Sequence, residues 1–112
     1  MEGEITRKPY VVTGKFRESR KCIYEYSLDT FGYFQAERYL KKINESLYSL
    51  PNYYSTYPEC HHLETKSRMY RNIILDAHLI IYRITDERIE VLDIIHSASS
   101  IRKIRGVRKI HL

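Results

Sequence analysis

The chain has 112 residues, about one domain's length, and 43% of them are hydrophobic, enough to build a single core. Its net charge is +5, it has eleven tyrosines and no tryptophan, and no stretch approaches the roughly 20 apolar residues of a membrane span. Residues 1–8 lack the apolar region of a signal peptide, and Cys22 and Cys60 are too few for a disulfide framework. A single cytoplasmic domain over 1–112 is expected, away from membranes and with both thiols reduced.

In chain order, Tyr10 to Thr13 is a short apolar run suited to a first or edge strand. Thr13 is placed to cap a helix over residues 14–29, whose Phe16, Arg20, Ile23, Tyr24 and Ser27 fall on one face. That helix should stop near Phe31-Gly32, because glycine accepts the left-handed backbone that ends a helix. A second helix follows, with Ala36, Leu40, Ile43, Leu47 and Leu50 at intervals of 4, 3, 4 and 3. Glu37, Arg38, Lys41, Lys42 and Glu45 stand on its opposite face, and Pro51 is expected to end it. A tyrosine-rich loop, residues 52–62, leads onward past Pro58.

Three β-branched segments come next: Tyr70–Leu75, Leu79–Ile84 and Arg88–His96. The polar joints 76–78 and 85–87 are short enough for hairpins, which predicts an antiparallel meander. The two helices form an αα-hairpin that needs an apolar surface, and the sheet supplies one. The expected class is therefore α+β, ordered β-α-α-β-β-β, with a mainly antiparallel four-stranded sheet covered by the helix pair on one face. Alternation assigns Ile80, Tyr82 and Ile84, with Leu92 and Ile94, to the helix side. It leaves Arg83, Asp93 and Arg71 on an open concave face.

Charge is unevenly placed. Residues 97–112 hold Arg102, Lys103, Arg105, Arg108 and Lys109 without one acid, so this segment accounts for the whole excess. Such a segment favours polyanions or an acidic protein, unless it is simply a solvated end. Ser97–Ser100 should cap a short helix from Ile101, with Ile101 and Ile104 packing back on the core. Cys60, His61 and His62 are adjacent and lack a second ligand pair at finger-like spacing, so no metal is expected. Ser97 beside His96 lacks the glycine-flanked elbow of a nucleophile, and no glycine-rich phosphate loop is present, so no cofactor is expected either.

Phe31-Gly32, Ala36, Leu50-Pro51, Tyr70-Arg71, Tyr82-Arg83-Ile84, Asp86, Ile89 and His96-Ser97, in this order and spacing, resemble the RelE/ParE toxins of bacterial type II toxin–antitoxin systems, the plasmid stabilisation family. The likeness runs from about Tyr10 to Ser100. It implies the same β-α-α-β-β-β fold, a cognate antitoxin that wraps the toxin, and contact with operator DNA only through that antitoxin. One branch of the superfamily cleaves mRNA in the ribosome; the other poisons DNA gyrase. The ribonuclease branch needs no metal: a base takes the 2′-OH proton and cations stabilise the dianionic transition state.

The reading adopted from the sequence is a toxin acting as a metal-independent endoribonuclease on ribosome-bound mRNA. His96 supplies acid–base chemistry, since imidazole titrates near neutrality. Arg71 and Arg83 are the catalytic cations, and Lys66 and Arg68 bind RNA together with Arg102, Lys103, Arg105, Arg108 and Lys109. Structural alternatives stand beside each: His96 bonding a backbone group, an Arg83–Asp93 cross-strand pair, Arg71 holding loop carbonyls around residues 58–62. Leu79 occupies the place, three before the strand tyrosine, where the ribonuclease branch usually carries arginine. The alternative functions are a non-enzymatic gyrase inhibitor working through the basic segment, and a non-toxic interaction module of the same fold.

Overall fold

A computed structural model describes residues 7–112; most of the segment read for a signal peptide, residues 1–6, lies outside the described residues. The elements are β1 (Tyr10–Val12), α1 (Gly14–Phe31), α2 (Tyr33–Tyr53), β2 (Tyr70–Ile74), β3 (His78–Ile84), β4 (Ile89–His96) and α3 (Ile101–Gly106), followed by a 3₁₀ turn over Val107–Lys109. The sheet order is β1-β4-β3-β2. β2, β3 and β4 form the antiparallel meander, and β1 lies parallel to β4, Tyr10 opposite Ile89. No helix is long and apolar enough to cross a membrane among the described residues.

Thr13 is the hinge between sheet and hairpin. Its hydroxyl accepts from the Phe16 N–H at 3.0 Å, capping α1, and donates to the Leu92 carbonyl at 2.6 Å. Its own N–H bonds the Val91 carbonyl, so the β1–β4 ladder continues into the cap. One residue, Gly32, joins the helices; its φ of 92° is left-handed backbone that a side chain would strain.

Pro51 does not end α2, which runs on to Tyr53. Proline's fixed φ suits a helix, so its cost is confined to a missing N–H and a crowded preceding turn. The Tyr54 N–H still reaches Leu50, the Pro51 carbonyl accepts from Lys8, and the ring is buried.

The helix-facing core gathers Phe16, Ile43, Leu47 and Leu50 against Ile73, Ile80, Tyr82, Ile89, Val91 and Ile94. Leu92 is not among them. A bulge pairs Ile81 with Asp93 but Tyr82 with Val91, so Leu92 is the extra residue and the alternation of β4 changes phase there. Leu92 turns to the other face and packs with Ile81, Ile95, Cys60, Leu63, Ile104 and Val107.

That second cluster overturns the expected open concave face. The loop around Cys60 and the C-terminal helical segment cover it, and every residue of β4 except His96 is buried. A strand buried on both faces reads as a nearly continuous apolar run, which β4 does. Ile104 and Val107 make the C-terminal contact; Ile101, expected beside them, is 47% exposed.

Candidate functional site

The three residues assigned to catalysis are not brought together. Arg71 sits on β2 opposite Tyr82, on the helix side of the sheet rather than the concave side. Its guanidinium donates to the carbonyls of Ser55 (3.0 Å), Tyr57 (2.8 Å) and Arg68 (2.8 Å). The Tyr82 hydroxyl donates to the Tyr54 carbonyl at 2.6 Å, so both side chains clamp the tyrosine-rich loop. Arg71 does hold loop carbonyls, but those of Ser55 and Tyr57 before the stretch around Pro58 to His62 and of Arg68 after it.

Arg83 lies on the opposite face and is already neutralised. Its Nη2 is 2.7 Å from a Glu90 carboxylate oxygen, while Arg88 takes the other oxygen at 3.0 Å. Burial works against both charges, but Tyr70 and Glu90 outweigh it and raise the Arg83 pKa, and the two arginines bring Glu90 below the usual carboxylate range. Asp93 is not the partner of Arg83. It is 3% exposed in the bulge, accepts from the Ile94 N–H at 2.8 Å, and has its pKa raised by burial against the pull of Ser19, Lys15 and Lys103.

His96 ends β4 opposite His78, five positions before Arg83 on β3, which puts it about 17 Å along the sheet from Arg83 at ordinary strand rise. Its Nδ1 accepts from the Ala98 N–H at 3.0 Å, a backbone bond of the kind read as its structural alternative. Lys66 is exposed in the loop before β2, and Arg68 beside it bonds Glu59 at 3.3 Å. Arg102, Lys103, Arg105, Arg108 and Lys109 are all exposed. Cys60 is buried with its thiol pushed up to about 11, and His61 turns to Glu64 at 3.2 Å.

The sequence carried no sign of a concavity beside the helix pair. A groove of about 830 Å³ runs between the αα-hairpin and the β2–β3 turn, with Ile23, Tyr26, Phe31 and Tyr39 on its apolar wall and Arg38 and Lys42 lining it too. At its end His78 faces His96 across the β3–β4 ladder, ring centroids 5.6 Å apart. Tyr39 Oη lies 2.7 Å from His78 Nδ1, and burial followed by the neighbouring His96 lowers the His78 pKa. His78 reads as a turn residue, yet it opens β3, and only the tertiary pairing aligns it with His96. Beyond the groove the hairpin tip exposes Phe31, Tyr33 and Phe34, the last at 81%.

An αα-hairpin laid on a four-stranded sheet whose first strand runs parallel to the last, with a basic helical end closing the far face, is the architecture of the RelE/ParE superfamily. The family model described as "ParE toxin of type II toxin-antitoxin system, parDE" matches residues 10–101, and the chain belongs to that family. Among solved structures, the chromosomal ParDE toxin–antitoxin system from P. aeruginosa is similar in fold, with a TM-score of 0.67 at 16% identity over 81% of this chain and 97% of that one. No curated protein sequence matches.

Proposed function

We propose that this toxin arrests growth by binding DNA gyrase, not by catalysing a reaction, and that its basic C-terminal segment is the effector surface. The observation that carries the reading is the placement of charge. Five cations stand exposed on a segment anchored by Ile104 and Val107. The cations an endoribonuclease would need on the concave face are instead tied to Glu90 or to loop carbonyls. A face filled by Leu63, Ile81 and Leu92 offers no bed for an RNA strand.

The antitoxin is proposed to lay an acidic amphipathic helix in the hairpin groove, where the apolar wall and Arg38 match such a segment, Lys42 being paired with Asp76 of the same groove at 3.0 Å. Strand addition at β2 is less favoured because residues 58–60 already bond that edge through Cys60 and Asn72 N–H groups.

The test is gyrase supercoiling with purified toxin. Inhibition that disappears when Arg102, Arg105, Arg108 and Lys109 are all changed to Gln, with the fold retained, supports the reading; unimpaired supercoiling at stoichiometric toxin sinks it. Ribosome-dependent mRNA cleavage stays as a second reading because of one feature, the His78–His96 pair at the groove end. Cell-free translation of a defined mRNA with mapping of its 5′ ends addresses it. Cuts inside codons that vanish in His96→Ala would move the activity to that pair.

A further inference from the structure

We propose that the outer face of the C-terminal helical segment, Arg102, Arg105 and Lys109 grouped around Gly106, seats the phosphate backbone of duplex DNA. In choosing DNA over RNA the proposal rests on the gyrase reading, since gyrase works on a duplex. It names a ligand for the basic segment itself.

The geometry follows from helical turn. At about 100° per residue, Arg102, Arg105 and Gly106 fall opposite Ile104 and Val107, the two residues that bury the segment. The tighter 3₁₀ turn brings Lys109 round to the same outer side. Arg108 and Lys103 flank this row, and Ile101 lies at its margin. Among the described residues none of the five cations is held in an ion pair, although Lys103 stands within the field of Asp93. From Arg102 to Lys109 the axis advances about 11 Å, and a single DNA strand presents a charge about every 3.4 Å of axis, so three cations find phosphates within that length.

Gly106 is the observation that turns a solvated basic helix into a contact surface. Its φ of −67° and ψ of −20° are ordinary helix, open to any residue. A Cβ built on it would meet nothing within 4 Å, so neither backbone conformation nor packing calls for glycine. Glycine nevertheless weakens a helix relative to alanine. In the middle of the cationic row, the missing side chain lets a partner's backbone come close to the helix. A protein partner would want an apolar anchor at the centre of such a patch; here the centre is glycine ringed by charge, the composition of a nucleic-acid interface, so in a gyrase–DNA complex this segment acts on the duplex that gyrase holds.

The experiment is fluorescence anisotropy of the full chain on a labelled duplex of about 20 base pairs, in the absence of gyrase, titrated from about 50 mM to about 200 mM salt. Failure of the gyrase reading and failure of this one are therefore separate results. Three phosphate contacts predict a log–log slope near −2.7, a loss of about 40-fold in affinity across that range. Arg102→Gln with Arg105→Gln should make the slope shallower by about 1.8. Gly106→Ala should weaken binding with the slope unchanged, while its melting temperature rises. Absence of binding at about 50 mM salt, or a slope the double substitution leaves intact, overturns the proposal. So does displacement of the duplex by a glutamate-rich peptide at equal charge concentration, which would assign the surface to an acidic protein. Full affinity in Gly106→Ala overturns the close approach.

Discussion

The Arg83–Glu90 pair gives the sharpest test of whether Arg83 is structural or catalytic. The two side chains are only 11% and 12% exposed and meet at 2.7 Å, with Arg88 on the second carboxylate oxygen. Removing one partner of a fully buried pair costs about 3–5 kcal/mol, because a charge is left desolvated and alone. Residual solvent contact and the 43% exposed Arg88 place Glu90→Leu and Arg83→Met lower, about 2–3 kcal/mol each. At about 4 °C per kcal/mol for a domain of this size, melting should fall by roughly 8–12 °C. The paired change Arg83→Met with Glu90→Leu removes both charges together and should recover most of that loss. Urea and thermal denaturation of the four proteins yield the coupling, expected at about 3–5 kcal/mol if the paired variant keeps a loss of about 1 kcal/mol. The paired variant should also still arrest growth. Single losses that add to within about 0.5 kcal/mol would refute the structural account, and so would a well-folded paired variant without toxicity.

Three further outcomes follow from the same structure. Asp93→Asn should raise the melting temperature at neutral pH and leave it unchanged below about pH 3.8, since a raised folded-state pKa makes ionisation cost stability as pH climbs through it; melting curves from pH 3 to 8 test the sign, which is opposite to that of Glu90, whose lowered pKa stabilises above about pH 4.3 and is lost in acid. Ile104→Ala should destabilise by about 2–4 kcal/mol, measured in urea, because its side chain is 7% exposed against Leu92 and Ile95. Deleting residues 101–112 would accordingly uncover core, so loss of toxicity on truncation would not identify the effector surface. Gly32→Ala should cost about 1 kcal/mol or more, visible in the same urea titration, through the strain of φ 92°.

Much of the architecture is written locally. Thr13 and Ser100 cap their helices with side-chain oxygens, Gly32 supplies the turn, and the β-branched runs with short polar joints specify the meander. These features depend on a few consecutive residues, so a linear reading reaches them. The family pattern spread from Phe31 to Ser97 is legible as an order and spacing of residue types along the chain, although Arg71, Tyr82 and Arg83 within it make contacts that only the folded chain brings together.

Other features depend on what lies opposite. Neither face of β4 is polar, so alternation alone carries no sign of the bulge that turns Leu92 over, and strand phase was decided by the register with β3. Arg83 met Glu90 rather than Asp93, since that same one-residue slip changes which side chains face across the strands. His78 and His96 became neighbours through the β3–β4 register, and Arg71 turned toward the helix-side loop because its register partner is Tyr82. The chain's own chemistry determined the caps, turns, strand positions and location of positive charge. Tertiary packing determined which face each charge occupies and whether it is spent on a neighbour, because pairing and burial are properties of residues brought together from distant parts of the chain.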